Sequence, residues 1–321
     1  MIYNQWYVIL ESKEIGRKKP IQVKRLNETL ALWRNKDGSL YCITDRCCHR
    51  GASLSDGKVI DNKLECPFHG FQFGQDGKVK LIPANGKNAS IPASQHVKSY
   101  STYENYGLVW IWWGDEAKKT EKPFFFEELA TMSYATYIDK WNTHYSRCIE
   151  NQLDVVHLPF VHKTTIGGGN KTLVHGPVVE REGDLLTFYV YNVIDDGQTK
   201  PLKPNEIENY KQLFHLKFHY PNIWQNCISD NMRIFAAFVP IDDEHTYIYL
   251  RNYQNFARVH IIKNIVNYLM KLSNIVILRQ DKRVVIKQFP KQAELGMDER
   301  LIMGDKPIIE YRKHRDELKK K

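Results

Sequence analysis

Two short segments of the chain carry cysteine and histidine at the spacing of metal ligands. One residue separates Cys47 from His49, and two residues separate Cys66 from His69. Thiolate and neutral imidazole suit zinc or the iron of an iron–sulfur cluster. A structural zinc site with two cysteines and two histidines usually keeps like ligands together. The mixed segments therefore favour a cluster of two unlike irons, one held by both cysteines and one by both histidines, over a zinc-binding regulatory module.

The same segments share further residues with a known family. In a Rieske [2Fe–2S] cluster, two histidines replace two cysteines on one iron and raise the reduction potential. Both segments resemble the Rieske family beyond the ligands themselves. The matching residues are Cys47, His49, Arg50, Gly51, Ala52 and Leu54 in the first segment and Cys66, Pro67, His69 and Gly70 in the second. The resemblance implies a Rieske [2Fe–2S] cofactor bound by Cys47, His49, Cys66 and His69.

Cys48 directly follows Cys47, and only one of the two can be the ligand. In the family the spacing is Cys-x-His, so Cys48 occupies the variable position, where oxygenase members often carry proline. Respiratory Rieske proteins add a disulfide, and its two positions here are Ala52 and Phe68. We therefore expect Cys48 to be a free thiol. The missing disulfide favours the lower-potential Rieske proteins that supply oxygenases.

A second group of ligand-type residues lies in SRCIENQLDVVHLPFVHK, residues 146–163. Asp154 and His157 are three apart and would share one face of a helix. Pro159 should end that helix, so that the chain turns back and directs His162 towards His157. Two neutral imidazoles and a distant carboxylate form the 2-His-1-carboxylate set, which holds Fe(II) and leaves positions open for O₂.

The pattern Asp-x-x-His-x₄-His downstream of the Rieske segments is similar to the oxygenase component of Rieske non-haem iron oxygenases. This resemblance covers nearly the whole chain, and it implies that the third iron ligand comes from a late helix. Our candidate for that carboxylate is Asp281 in LRQDKRVVIKQ, residues 278–288. Asp230, Glu294 and Asp298 remain alternatives.

The resemblance also gives roles to other residues. Asp154 matches the aspartate that links an iron-ligating histidine, here His157, to a Rieske histidine of the neighbouring subunit, here His69. Subunits then assemble head-to-tail in a closed ring. Asn151, one turn earlier, either supports the active site or has a purely structural role. The glycine run 167–169 lacks the Lys-Ser/Thr of a phosphate loop, and we predict a mobile loop near the iron.

Turn signals and apolar runs predict two domains and an α+β fold. Residues 1–113 alternate Val-, Ile-, Tyr- and Trp-rich runs with Asp-Gly turns, which is typical of an all-β domain, here the Rieske domain. The charged segment 114–123 is the predicted linker. Residues 124–311 combine helices with an antiparallel sheet, and by resemblance they form a helix-grip catalytic domain. Residues 312–321 are predicted to be a solvated, frayed basic tail.

In the second domain, helical signals near 139–158 and 257–290 flank several strand-like runs. These runs are 185–193, 213–220, 232–240 and 245–254. The order predicts helices packed around an antiparallel sheet.

Composition narrows the functional classes. The 321 residues carry a net charge of +9 but no nucleic-acid-binding motif, so we predict no nucleic-acid partner. The basicity can help to dock an acidic electron-donor protein. No segment resembles a signal peptide, and Lys263 and Lys271 within the apolar run 261–278 favour an amphipathic or buried helix over a membrane span. Six cysteines without a disulfide pattern predict a cytoplasmic location.

Together these features predict the terminal component of a multicomponent oxygenase. Electrons would pass from NAD(P)H through a separate reductase or ferredoxin to the Rieske cluster, and then through Asp154 to the mononuclear iron. There O₂ would hydroxylate or oxidatively demethylate a small organic substrate. Phe214, Phe218, Trp224 and Phe235 suggest a partly apolar pocket, and core packing explains them equally well. The short chain resembles the homotrimeric monooxygenase and O- or N-demethylase branch. The alternatives are a ring-dihydroxylating dioxygenase and a Rieske ferredoxin that only carries electrons.

Overall fold

The computed structural model describes residues 1–17, 19–257 and 259–321. Short antiparallel strands joined by tight turns form the first part of the chain. Gly38 and Gly77 have positive φ angles at two of the predicted Asp-Gly turns, where a Cβ atom would be strained. Asn4–Pro123 form one unit, and Met1–Tyr3 with Phe124–Lys321 form the other. The second unit contains helices and a large sheet, so the predicted α+β class is confirmed.

The strands of the first unit form three antiparallel sheets, with the orders β1-β11-β10, β2-β3-β4-β9 and β5-β6-β7-β8. Their bounds are β1 Gln5–Glu11, β2 Ile21–Arg25, β3 Glu28–Arg34, β4 Leu40–Thr44, β5 Lys58–Ile60, β6 Lys63–Glu65, β7 Gln72–Phe73, β8 Val79–Leu81, β9 Ser99–Tyr100, β10 Thr102–Asn105 and β11 Leu108–Trp113. The predicted linker residues 114–123 group with this unit, and Nε1 of Trp6 donates a hydrogen bond to Oγ1 of Thr120 at 3.0 Å.

An apolar core lies beneath the two cysteine–histidine segments. Trp33, Leu54 and Phe73 are fully buried in it, and they surround the buried residues Cys47 and Cys66. The segments follow β4 and β6, so two rigid strands and one core position both thiols.

The second unit is built on one antiparallel sheet with the order β12-β18-β17-β16-β15-β14-β13. The bounds are β12 Ser133–Trp141, β13 Leu173–Glu182, β14 Leu185–Val193, β15 His215–His219, β16 Ile223–Ser229, β17 Met232–Pro240 and β18 Thr246–Gln254. The four predicted strand runs coincide with β14, β15, β17 and β18. The predicted helical segment 139–158 was wrong at its start, because residues up to Trp141 pair with β18.

The helices are α1 Tyr145–Leu153, α2 Leu158–Val161, α3 His260–Val285 and α4 Lys306–Lys319. Asp154 ends α1, since its Oδ1 accepts hydrogen bonds from the backbone N–H groups of Val156 and His157. The prediction that Pro159 ends a helix was wrong, because Pro159 lies in the first turn of α2. Proline is tolerated there because the first N–H groups of a helix have no intrahelical partner.

Helix α3 buries three polar residues and leaves many of its apolar residues exposed. Asn267, Asn274 and Asp281 are buried, whereas most of the apolar residues are exposed. The exposed apolar residues are Ile261, Ile262, Ile265, Tyr268, Leu269, Leu272, Val276 and Val284. The amphipathic character that we predicted is therefore inverted. Among the described residues, α3 alone has the length and hydropathy of a membrane span, and the apolar stretch concerned is only 17% buried. Arg258, in the predicted late helical segment, lies outside the described residues.

The prediction of a solvated tail over residues 312–321 was wrong, because most of these residues belong to helix α4. Arg312 is buried and donates two hydrogen bonds to the carboxylate of Glu150 on α1, at 2.6 and 2.9 Å. It also donates to Glu299 at 2.6 Å. Basic residues that looked solvated in the sequence therefore pair with acidic residues far away in the chain.

Candidate metal centres

The two cysteine–histidine loops have the same backbone geometry. In each, the cysteine N–H donates to the carbonyl of the fifth following residue, at 2.8 Å for both Cys47 and Cys66. In each, a glycine four residues after the cysteine donates back to the cysteine carbonyl, at 2.9 Å for Gly51 and 3.1 Å for Gly70. Both glycines have φ near +74°, at 74° and 73°. The sequence repeats one loop shape, with the histidine one position later in the second loop.

The imidazoles of His49 and His69 meet at the exposed end of these loops. Their ring centroids lie 4.6 Å apart, and the ring of Phe71 stacks on His49 at 4.8 Å. Desolvation and the neighbouring charges of His49 and Arg50 lower the pKa of His69, which favours the neutral imidazole that binds metal. On the buried side, burial raises the pKa of the Cys47 thiol to about 11. The four groups fit a cluster with buried thiolates and solvent-facing histidines.

Cys48 lies apart from this arrangement. Its side chain is exposed, and its Sγ donates a hydrogen bond to Oε1 of Gln95 at 3.3 Å. All six cysteines are free thiols. The structure thus places Cys47 in the core and leaves Cys48 at the surface. This agrees with the prediction that Cys48 is a free thiol.

The second centre is formed by His157, His162 and Asp281, whose ligand atoms all lie within 4.8 Å of one another. Oδ1 of Asp281 lies 2.9 Å from Nε2 of His162 and 3.6 Å from Nε2 of His157. Asp281 reaches them from the buried face of α3. The alternatives lie elsewhere. The side chains of Asp230 and Asp298 are fully or almost fully exposed, and Glu294 pairs with Lys319.

An unsatisfied buried oxygen indicates that the three residues fit a metal ion. Oδ1 of Asp281, which faces both imidazoles, is buried without a hydrogen-bond partner in the described chain. Buried polar groups in native structures are normally paired. Two imidazoles and one carboxylate are the donor set that suits Fe(II) with open positions.

Residues on two sides hold His162 in place. Its Nδ1 lies 2.8 Å from Oε1 of Gln280, which also accepts from Oγ1 of Thr165 at 2.8 Å. Nδ1 is therefore the protonated nitrogen, and Nε2 is left to face Asp281. Burial lowers the pKa of His162, but Asp281 and Gln280 raise it by more, so the net shift is upward.

The glycine run after His162 is part of a closely packed turn. Gly167 is buried and donates to the carbonyl of His162 at 3.0 Å. A Cβ atom at Gly167 would lie 1.9 Å from the carbonyl oxygen of Leu158. The prediction of a mobile loop missed this role, since glycine is needed for close approach to α2.

Asp154 faces His157 from the side opposite the ligand atoms. Its Oδ2 lies 3.6 Å from Nδ1 of His157. Burial raises the pKa of Asp154, but His157 and the backbone N–H groups lower it by more, so that the carboxyl stays ionised. Asn151 lies one turn earlier on α1, and its Nδ2 is buried without a hydrogen-bond partner in the described chain.

A cavity of about 310 Å³ opens beside the three ligands. Two of the four predicted aromatic residues, Phe214 and Trp224, line it, whereas Phe218 is fully buried in the core and Phe235 packs against Phe125. Sequence reasoning missed several lining residues. These are Gln152, Val155, Leu158, Ile166, Phe188, Val190, Leu216, Asn226, Ile228, Ile234, Leu250, Asn274, Ile277 and Leu278. Strand alternation was the available signal, because Trp224, Asn226 and Ile228 share one face of β16.

Both halves of the chain match known families. Residues 5–101 match the Rieske [2Fe-2S] domain, and residues 141–321 match the vanillate O-demethylase oxygenase C-terminal domain. Methylxanthine N1-demethylase NdmA of Pseudomonas putida is 31% identical over 97% of this chain and 86% of its own length. The vanillate O-demethylase oxygenase subunit of a Pseudomonas species is 32% identical over 60% of this chain and 54% of its own length.

Solved structures agree with these sequence matches. NdmA of Pseudomonas putida superposes with a TM-score of 0.80 at 26% identity, covering 99% of this chain and 90% of that one. Dicamba monooxygenase superposes with a TM-score of 0.73 at 18% identity, over 100% of this chain and 98% of that one, and shares the fold.

The chain is thus a member of the Rieske-type oxygenases, as a terminal oxygenase component of the demethylase branch. The enzyme class and the cofactors, a Rieske [2Fe–2S] cluster, mononuclear iron and O₂, are confirmed at the family level. An electron carrier without oxygenase activity does not account for the oxygenase domain over 141–321. Members of this family receive electrons from a separate reductase or ferredoxin and act on small molecules.

Proposed function

We propose that His157, His162 and Asp281 hold the mononuclear iron, and that the paired cysteines and histidines of the two loops hold the Rieske cluster. The observation that carries this proposal is the convergence of three ligand atoms beside a cavity. Bound iron supplies the activation of O₂. Gln280 orients one imidazole, the carboxylate of Asp281 contributes the negative charge, and the apolar walls exclude water.

Electrons reach this centre from a neighbouring subunit. Asp154 is ionised and lies against His157, so its carboxylate is suited to accept a hydrogen bond from a partner imidazole. The exposed His69 of the next chain is the group we assign to that position. This route requires a head-to-tail homotrimer, in which each Rieske unit serves the catalytic unit of its neighbour.

The reaction is the oxidative removal of a methyl group from a neutral, flat aromatic or heteroaromatic substrate. Apolar side chains dominate the cavity walls, and no Lys or Arg is among the described residues that line them. A substrate carboxylate or sulfonate would therefore lack a cationic partner and its burial would be unfavourable. The cavity volume of about 310 Å³ lies at the lower end of the range for ligand pockets, which is roughly 300–1,000 Å³. The relatives named as N1- and O-demethylases support methyl removal.

Formaldehyde formation tests this reaction. Hydroxylation of an N- or O-methyl carbon by O₂, with two electrons and two protons, gives an unstable product that releases formaldehyde, and the second oxygen atom leaves as water. Purified protein with NADH, an added Rieske-oxygenase reductase and a panel of N-methyl heteroarenes and methoxyarenes should consume O₂ and release formaldehyde in equal amounts.

Two controls keep this test specific. The unmethylated analogue of each active compound should give no formaldehyde, and peroxide assays should show that O₂ uptake is not lost to uncoupled reduction. Ring diols in place of formaldehyde would favour the dioxygenase alternative and overturn the proposal of demethylation.

Subunit complementation tests the intersubunit route. Cys47→Ser abolishes the cluster and His162→Ala weakens the mononuclear site, so each homotrimer should be inactive. Trimers assembled from both variants should regain activity if electrons cross between subunits. Light scattering should show a trimer. A monomer, or a mixed trimer that remains inactive, would contradict the proposal.

We also propose that the protein works in the cytoplasm. Its six cysteines are free, including the exposed Cys48, and exposed thiols of this kind persist in a reducing compartment.

A further inference from the structure

Besides atoms of the proposed iron ligands, two polar atoms buried in the iron cavity have no partner in the described chain. They are Nε1 of Trp224 and Oδ1 of Asn226, two residues apart on β16 and on the same face of the sheet. Trp224 is only 3% exposed, and both residues line the cavity. A donor or acceptor that is buried without a partner is destabilising, so each such atom in a native structure calls for an explanation.

The sheet itself cannot satisfy these atoms. The cross-strand neighbours of Asn226 are Leu216 and Ile234, and those of Trp224 are Phe218 and Ala236, all of them apolar. The amide of Asn274, which also lines the cavity, behaves differently. Its Nδ2 donates to Oδ1 of Asn252 on β18.

We propose that Trp224 and Asn226 form the polar recognition element for the substrate. The indole N–H donates to a carbonyl oxygen or ring nitrogen of the substrate, and Oδ1 of Asn226 accepts from a substrate N–H or O–H. This inference rests on the proposed function and narrows it. The substrate class is a neutral planar ring system with an acceptor and a donor at separate positions, since alternate residues on a strand are about 7 Å apart.

The test is anaerobic isothermal titration calorimetry of the holoenzyme with three probes. 1,3-Dimethylxanthine offers carbonyl acceptors and one ring N–H. 1,3,7-Trimethylxanthine keeps the carbonyls but replaces that N–H by N-methyl, and 4-methoxybenzoate is an anion of similar size. The wild-type protein should bind the dimethyl compound about tenfold more tightly than the trimethyl compound, and the anion most weakly.

Two substitutions separate the two hydrogen bonds. Asn226→Leu should abolish the preference for the dimethyl compound, because the acceptor for its N–H is gone. Trp224→Phe keeps the apolar ring and should weaken both xanthines equally, by about tenfold. Ile228→Val, on the same face of β16 but without a polar atom, is the matched control and should leave the preference unchanged.

Several results would overturn the proposal. These are tightest binding of the anion, no binding of either xanthine, a preference that survives Asn226→Leu, or unchanged affinities in Trp224→Phe. Formaldehyde measured on the same samples keeps the two proposals distinct. Binding with the expected pattern but no formaldehyde contradicts demethylation alone, and formaldehyde with unchanged affinities in the variants contradicts the recognition element alone.

Discussion

Nε2 of His162 and Oδ1 of Asp281 lie 2.9 Å apart, although one residue follows α2 and the other lies near the end of α3. The packing of α3 against the turn after α2 brings the proposed ligands together. Gln280 adds to this arrangement, because the residue next to Asp281 also fixes the ring of His162.

Asp281→Ala should remove the mononuclear iron and abolish turnover while the Rieske absorption spectrum persists. A site with three protein ligands loses its only carboxylate, so iron content should fall from about three to about two per chain. Metal analysis with visible spectroscopy measures both. Asp298→Ala is the control, since that side chain is 90% exposed. Full iron retention in Asp281→Ala would contradict the assignment.

Cys48→Pro should retain the Rieske spectrum, whereas Cys47→Ser should lose it. The thiol of Cys47 lies in the core with Cys66, whereas Cys48 is exposed and its Sγ donates a hydrogen bond to Gln95. Electron paramagnetic resonance of the reduced proteins distinguishes the two outcomes. A spectrum lost in Cys48→Pro and kept in Cys47→Ser would reverse the assigned roles.

Gln280→Ala should weaken mononuclear iron binding by about 10- to 100-fold, the usual effect of losing a residue that orients a metal-binding histidine. The physical reason is that Nδ1 of His162 loses its 2.8 Å partner, so its ring is free to rotate away from Asp281. Titration of the iron-depleted protein with Fe(II) gives the affinity. Arg279→Ala, an exposed neighbour, should have no effect. Equal losses in both variants would indicate damage to α3 instead.

Asp154→Asn should stop electron delivery while both metal centres still assemble. Asparagine keeps the oxygen that accepts the N–H groups of Val156 and His157, but it removes the charge beside the His157 ring. In single-turnover stopped-flow experiments, the reduced cluster should no longer discharge when substrate and O₂ are mixed in. Reoxidation at the wild-type rate would show that Asp154 only caps α1.

Arg312→Ala should lower the free energy of unfolding by about 3 kcal/mol, because the buried carboxylate of Glu150 loses two hydrogen bonds and keeps only the longer contact to Arg147, at 3.2 Å. Lys313→Ala, the adjacent exposed residue, should change it by less than about 0.5 kcal/mol. Chemical denaturation measures both values. Similar changes in the free energy of unfolding for the two variants would support the original prediction of a solvated tail.

Most of the proposed metal ligands could be identified from the sequence because ligand spacing is local information. Cys47, His49, Cys66 and His69 lie on two short loops of one shape, and His157 and His162 lie within a single turn of chain. Asp281 could be proposed only through the family resemblance, since nothing near it in the sequence indicates that α3 packs beside those histidines.

Other predictions were wrong where distant residues decide the structure. The basic tail became the packed helix α4 because Arg312 pairs with Glu150 and Glu299, which its own sequence neighbourhood does not show. Pro159 fits the end of one helix or the start of another equally well, and the side chain of Asp154 decides between them. The inward polar face of α3 reversed the expectation from its composition, since buried amides there pair across to β18.

The proposed ligands of the mononuclear site come from two segments with most of the large sheet between them in sequence. An ion bound by both would act as a cross-link, joining the turn after α2 to α3 as a disulfide would join two cysteines. Such a link restricts the unfolded chain and favours the folded state. Removal of the mononuclear iron should therefore lower the melting temperature of the catalytic unit and leave that of the Rieske unit unchanged. The two units would then unfold at different temperatures.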